Sequence, residues 1–117
     1  MIIVKATREG LVGHKTSTGE VVDDIIPFVA LPSTAALRLW VRLTNISNGK
    51  QCRALVLDVG PWNEHDNAYV FGGKRPLAES GKDTRGRKTN GAGIDLSEKV
   101  WKILDMHDNT DVGWEFV

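Results

Sequence analysis

A small, mainly β barrel is the fold class this sequence predicts. Three observations lead there: about six short segments of strand character, a single late stretch with helical periodicity, and no alternation of strands and helices of the kind that builds a parallel α/β sheet. With 117 residues the chain supports one domain around one core, so residues 1–117 are read as a single domain.

Ile2-Ile3-Val4-Lys5-Ala6-Thr7 is β-branched and stops at Glu9-Gly10, which predicts an opening strand. Gly10 to Asp24 reads as a loop with a weak hairpin. Ile25 to Leu31 is a short apolar run whose Pro27 suits a strand start or edge, and Pro32-Ser33-Thr34 introduces a brief helical turn over Thr34 to Leu37. Trp40 to Asn45 and Cys52 to Val59 both alternate apolar with polar residues. Between them Ser47-Asn48-Gly49-Lys50 supplies turn chemistry, which predicts a hairpin.

Gly60 to Gly93 is rich in Gly, Asn, Asp and basic residues, with one apolar knot at Ala68-Tyr69-Val70-Phe71, and reads as a functional surface loop or a partly disordered one. Asp95-Leu96-Ser97-Glu98 opens the only helix, in which Leu96, Val100, Ile103 and Leu104 form one buried stripe, and Asp105 to Asn109 ends it. Trp114 to Val117 is the closing strand.

Fifteen Lys plus Arg balance fifteen Asp plus Glu, so no overall field draws the chain to nucleic acid or to an anionic membrane. No window approaches the roughly 18 to 20 apolar residues of a membrane span, and Met1 to Gly10 has strand character with charges inside it. No secretory signal is therefore read here. A wall-acting protein of this sequence is expected as a trimmed piece, as part of a phage particle, or by a holin-like exit, and its place of action is then the cell envelope or outside. Cys52 stands alone, which rules out an internal disulfide and fits a small buried hydrophobe.

Five short segments follow one another in a telling order: Gly13-His14-Lys15-Thr16-Ser17-Thr18-Gly19, Phe28-Val29-Ala30-Leu31-Pro32, Val41 to Asn45 with Asn48-Gly49-Lys50, Leu57-Asp58-Val59-Gly60-Pro61-Trp62, and Gly93-Ile94-Asp95-Leu96-Ser97. The succession resembles the rare lipoprotein A-like and expansin-like double-psi β-barrel family, over about Lys5 to Val117. The resemblance implies a six-stranded double-psi barrel with one or two short helices and a surface groove for peptidoglycan or another β-linked glycan, while the segment at about 63–92 is far longer than the family's usual few residues and reads as an insertion. Two family features are missing. Phe28 and Val29 stand where many relatives place a histidine before the Leu-Pro, and Val59 stands where they place an arginine.

The resemblance puts Asp95 at the place of a general acid/base, and Asp58 is the natural second carboxyl, since glycosidic cleavage needs an acid at the leaving oxygen. From the residues alone, Asp95 reads as an N-cap with Glu98 three positions on, Ser97 being the alternative cap, and Asp58 as a turn residue beside Gly60-Pro61. Trp62 and Tyr69 either line the groove as flat sugar platforms or pack the long loop onto the barrel. Thr16 and Asn63 complete the expected substrate-binding set. His65-Asp66 lacks metal-like spacing to His14 and His107, so no metal is expected, nor any cofactor. Lys82 to Lys88 is a basic stretch without interleaved aromatics, which reads as a solvated loop and not as a nucleic-acid surface. Three function classes follow: a peptidoglycan-cleaving enzyme of lytic transglycosylase or glycoside hydrolase type, a binding or wall-loosening module without covalent chemistry, and a phage structural or interaction protein reusing the barrel.

Overall fold

The computed structural model describes residues 1–10, 12–23 and 25–117. Its strands are β1 (Ile2–Arg8), β2 (Phe28–Leu31), β3 (Trp40–Asn45), β4 (Gln51–Val59), β5 (Ile94–Leu96) and β6 (Asp111–Phe116), with two short helices, α1 (Asn67–Val70) and α2 (Glu98–Ile103). They close a barrel in the order β1-β5-β2-β4-β3-β6. β1 runs parallel to β5 and β2 parallel to β4, while the remaining neighbours are antiparallel. The predicted barrel is thus the observed one.

Alternation decides which side chains fill it. Val4 and Ala6 of β1, Val41 and Leu43 of β3, Ala54 and Val56 of β4, Ile94 and Leu96 of β5, and Val112 and Trp114 of β6 point inward and are all but inaccessible. Burying each branched aliphatic side chain contributes roughly 1.5–3 kcal/mol. A second, smaller cluster of Val22, Phe28 and Leu57 lies apart from this core.

The β3–β4 hairpin forms where Asn48-Gly49 predicts it. Gly49 takes a φ of 76°, and Asn45 uses its amide group to accept from Ser47 N at 3.0 Å and to donate to the Leu104 carbonyl at 2.9 Å. The turn is thereby tied to the end of α2.

That helix departs from expectation at its start. Asp95 and Leu96 belong to β5, and the cap is Ser97, whose Oγ accepts from Val100 N at 3.3 Å and from Phe28 N at 3.0 Å. Asp95 is therefore no cap. Because Leu96 is spoken for by the sheet, the buried stripe is set by Val100, Trp101 and Leu104, and Ile103, expected inside, is 38% exposed.

Residues 60–93 are neither featureless nor loosely attached. They hold α1 and a 3₁₀ turn at Leu77–Ser80, and they are sewn to the rest of the chain by Thr34 N to the Glu64 carbonyl at 3.0 Å and Asp66 N to the Pro32 carbonyl at 2.8 Å. Tyr69 and Val70 of the apolar knot enter the core, while Ala68 and Phe71 stay exposed. Tyr69, 1% exposed, donates its hydroxyl to the Gly93 carbonyl at 2.8 Å and accepts from Trp114 Nε1 at 2.8 Å, with the two rings edge to face at 5.9 Å. Gly93 is required by this approach, since a Cβ there would sit 2.9 Å from both the Tyr69 hydroxyl and Val4 Cβ. Cys52 is half-buried against the core, and burial pushes its thiol up to about 11.

Removing the Tyr69 hydroxyl leaves two buried polar groups, the Trp114 indole N–H and the Gly93 carbonyl, without their partner. Tyr69→Phe is expected to lower the unfolding free energy by about 1–3 kcal/mol in urea denaturation with an unchanged slope. A change under about 0.5 kcal/mol, the range of ordinary surface substitutions, would show that the pair does not anchor residues 60–93.

Candidate active site

β5 sits between β1 and β2, and its central residue is Asp95. In the register, Asp95 pairs with Thr7 of β1 on one side and with Ala30 of β2 on the other, and Ala30 in turn pairs with Asp58 of β4. Directly paired residues share a face of a sheet. Ile94 and Leu96 point into the core, so Asp95, and with it Ala30 and Asp58, belongs to the outer face. The two aspartates lie two strand spacings apart, about 10 Å between backbones, with only the Ala30 methyl between them.

Asp58 reaches that face because of a bulge. Leu55 and Leu57 lie together in the outer cluster, so strict alternation would turn Asp58 inward. The register between β2 and β4 slips between Val29 and Ala30, the extra residue re-phases β4, and Asp58 comes out opposite Ala30.

A third carboxyl joins them that the sequence reading treated only as a strand end. Glu9 follows β1 in phase with Thr7, and its backbone N–H donates to the Leu96 carbonyl at 2.7 Å, which extends the parallel pairing by one residue. Its side chain hydrogen-bonds Asp58. The signal was the Glu9-Gly10 boundary itself, which places an acid one step past a strand whose outward residues end at Thr7.

The three groups are held in different states. Asp95 is pushed up to about 6, by burial first and by the Asp58 charge, against the opposing hydrogen bond from the Thr7 hydroxyl. Glu9 is pushed up to about 9 by burial, then by its hydrogen bond to Asp58 and the nearby charges of Asp95 and Asp58. For Asp58, burial pulls upward but is outweighed by hydrogen bonds from Glu9, from Ser17 Oγ at 2.7 Å and Ser17 N at 3.1 Å, and from Val59 N at 2.9 Å, so it lies below the usual carboxylate range. Carboxyls whose environments separate their proton affinities are what acid–base chemistry requires.

Gly60 borders the cluster. Its φ of 138° is one that side-chain-bearing residues rarely adopt, and a Cβ there would meet Asp95 Oδ2 at 3.8 Å. From Gly60 a cavity of about 540 Å³ continues along residues 59–65 and across to Thr84, Arg85 and Arg87. Trp62 stands in its wall. The indole N–H donates to Asn90 Oδ1 at 3.0 Å, and Arg87 lies 5.9 Å from the ring, donates to the Trp62 carbonyl at 3.2 Å, and is braced by the buried Asp83 at 2.5 Å.

The other expected substrate contacts are placed differently. Tyr69 is enclosed in the core and offers no face to a sugar. Asn63, 3% exposed, lines the cavity but uses its Oδ1 to accept from Thr84 N at 3.0 Å. Thr16 is enclosed in its own turn with Thr18 and Glu20, and its neighbour Ser17 is the residue that touches the cluster. His65 pairs with Ser33 in a short bridge, and the Asp66 carboxylate accepts from Leu77 N at 2.8 Å. Among the described residues no three His, Cys, Asp or Glu side chains are arranged to hold a metal ion.

The closed six-strand topology, with β1 parallel to β5 and β2 parallel to β4, defines the class, a rare lipoprotein A-like double-psi β-barrel. Within that class, the chain belongs to the family described as "Domain of unknown function (DUF8814)", whose model matches residues 1–115. It is 30% identical over 105 residues to the endolytic peptidoglycan transglycosylase RlpA of Yersinia pestis, covering 90% of this chain and 22% of that relative. The chain thus spans about a fifth of the relative's length. Among solved structures it is similar in fold to Streptomyces papain inhibitor (SPI), with a TM-score of 0.56 and 19% identity over 99% of this chain and 93% of that one.

Asp95 is expected to titrate with a midpoint about 6, followed through its carboxyl carbon by NMR. Thr7→Val, which removes the hydrogen bond that favours the ionised form, moves the midpoint upward. An ordinary carboxylate midpoint in the native protein would show that Asp95 is not desolvated.

Proposed function

We propose that this domain acts on cell-wall glycan and cleaves peptidoglycan, with Asp95 as the general acid/base. The observation that carries the reading is Asp95 itself, a desolvated carboxyl held by Thr7 on the outer face of β5, beside an open cavity and opposite an ionised Asp58. Similarity to the Yersinia pestis transglycosylase supports peptidoglycan as the substrate.

In this reading protonated Asp95 gives its proton to the bridging glycosidic oxygen as the bond from the sugar carbon to that oxygen breaks. The resulting carboxylate then takes the proton of the hydroxyl that attacks the same carbon. In a transglycosylase that hydroxyl belongs to the muramoyl residue itself and the product is an internal anhydro sugar; in a hydrolase it belongs to water. Asp58, ionised and fixed by Ser17, orients the acid and stabilises positive charge developing on the sugar. Trp62 lines the way from the Asp95 cluster to residues 84–87, and the domain's specificity lies in the segment of about 63–92.

The expected result with purified peptidoglycan is release of soluble fragments by the wild type. Asp95→Asn is expected to lower that rate by at least 100-fold, the scale of a lost acid/base group, while melting cooperatively like the wild type. Mass spectrometry of the products separates anhydro from hydrated ends. Equal release by both proteins removes Asp95 from the mechanism.

A second reading, a wall-binding module without covalent chemistry, is favoured by Phe28 occupying the family's histidine region as a buried apolar side chain. It predicts retention on insoluble glycan with no product, and loss of retention in Trp62→Ala.

A further inference from the structure

The carboxyl pair Glu9–Asp58 presents an apparent contradiction. Glu9 Oε2 is a buried oxygen with no hydrogen-bond donor among the described residues, yet the Glu9 carboxyl is in hydrogen-bonding contact with the carboxyl of Asp58. Two carboxylates facing each other out of water repel strongly, and a buried acceptor without a donor costs about 1–3 kcal/mol. One proton between them removes both costs. Asp58 already accepts from Ser17 Oγ, Ser17 N and Val59 N, an environment that favours its anion, whereas among the described residues Glu9 Oε2 has no donor. The proton therefore belongs to Glu9.

We infer that Glu9 is a positioning residue of the groove: its protonated carboxyl donates to Asp58 and holds that carboxylate ionised and turned toward Asp95. The inference rests on the glycan-cleaving reading for its consequence in activity, but the proton-sharing pair rests on the buried, donor-less Glu9 Oε2 and the contact of its carboxyl with Asp58. The charged groups that face Glu9 are Asp58 from β4 and Asp95 from β5. Neutral Glu9 leaves the cluster with the charge of Asp58, plus that of Asp95 when it ionises. Ionised Glu9 would bring three negative charges to one outer face, with Asp58 losing one of its donors.

Stability carries the same signature, with a defined sign. The folded-state affinity of Glu9 for its proton is raised, to a midpoint of about 9, so the native state holds a proton that the unfolded state has released. The contribution is complete below the unfolded midpoint near 4.3 and is lost as pH rises toward about 9.

Three proteins test this: wild type, Glu9→Gln and Glu9→Ala. Glu9→Gln keeps a donor for Asp58 that no pH removes. It is expected to retain peptidoglycan release within about threefold at pH 7; above about 6, where Asp95 ionises, both rates fall, and the rate of Glu9→Gln relative to wild type is expected to rise toward pH 9–10. Glu9→Ala is expected to lose at least tenfold in kcat with little change in KM, because Asp58 loses one of its donors and the side chain packed beside it while Trp62 and the cavity are untouched. The melting temperature of Glu9→Gln is expected to gain on wild type progressively from pH 5 to pH 9. Coincident pH–rate and pH–stability profiles for wild type and Glu9→Gln would overturn the inference even with peptidoglycan cleaved normally. If the wild type cleaves no glycan, the activity reading falls by itself, and the stability profiles alone decide whether Glu9 holds the proton.

Discussion

With three residues, Ile94–Leu96, β5 has to hold β1 on one side and β2 on the other. So short a strand makes few ladder bonds, and its neighbours supply what it lacks. Gly93 N–H donates to the Lys5 carbonyl at 2.9 Å and Glu9 N–H to the Leu96 carbonyl at 2.7 Å, which extends the parallel pairing at both ends. Ser97 then caps α2 with the same oxygen that accepts from Phe28 N. Strand, cap and barrel closure share one stretch of backbone. Closure also satisfies edges that an open sheet of this size would leave exposed.

The same stretch sets the electrostatics of the groove. Asp95 alternates with two core residues, so it is anchored as firmly as they are while facing outward, partly desolvated between β1 and β2. Thr7 gives it one hydrogen bond, enough to orient it but insufficient to offset burial, and its affinity for a proton stays raised. Asp58 is treated in the opposite way, with backbone and hydroxyl donors gathered around it. The difference between two aspartates is a difference in donors, and the bulge in β4 is what lets Asp58 use them on this face.

Residues 60–93 complete the wall by a different kind of bonding. Tyr69 and Val70 are claimed by the core, whereas Trp62, Asp83 and Arg87 form a small polar assembly around the cavity. Buried Asp83 accepts from two backbone N–H groups and from Arg87, and so fixes the turn that carries the basic side chains. The ion pair is half in solvent and contributes little to stability. Its effect is to hold the Arg87 side chain near the indole.

Alternation and turn chemistry were legible from the residues, because both are local: β1 and the β3–β4 hairpin lie where Val, Ile, Leu and Asn-Gly placed them, β6 begins at Asp111, three residues before the expected Trp114, and the ordered succession of short segments pointed to the barrel and to Asp95 as a candidate. Three things were not local. Whether Asp95 capped a helix or faced a groove depended on β1 and β2 claiming Asp95 and Leu96, which left Ser97 to cap. Tyr69 looked available to a ligand because nothing near it in sequence could bury it; Trp114, forty-five positions away, does. Glu9 gained its meaning only when parallel pairing brought the end of β1 beside β4 and β5, since a carboxyl's affinity for its proton is set by what surrounds it in space. The sequence by itself determined the strands other than β5 and a candidate acid, because alternation and turn chemistry are local, and the tertiary structure alone decided which carboxyls meet, because their neighbours come from distant strands.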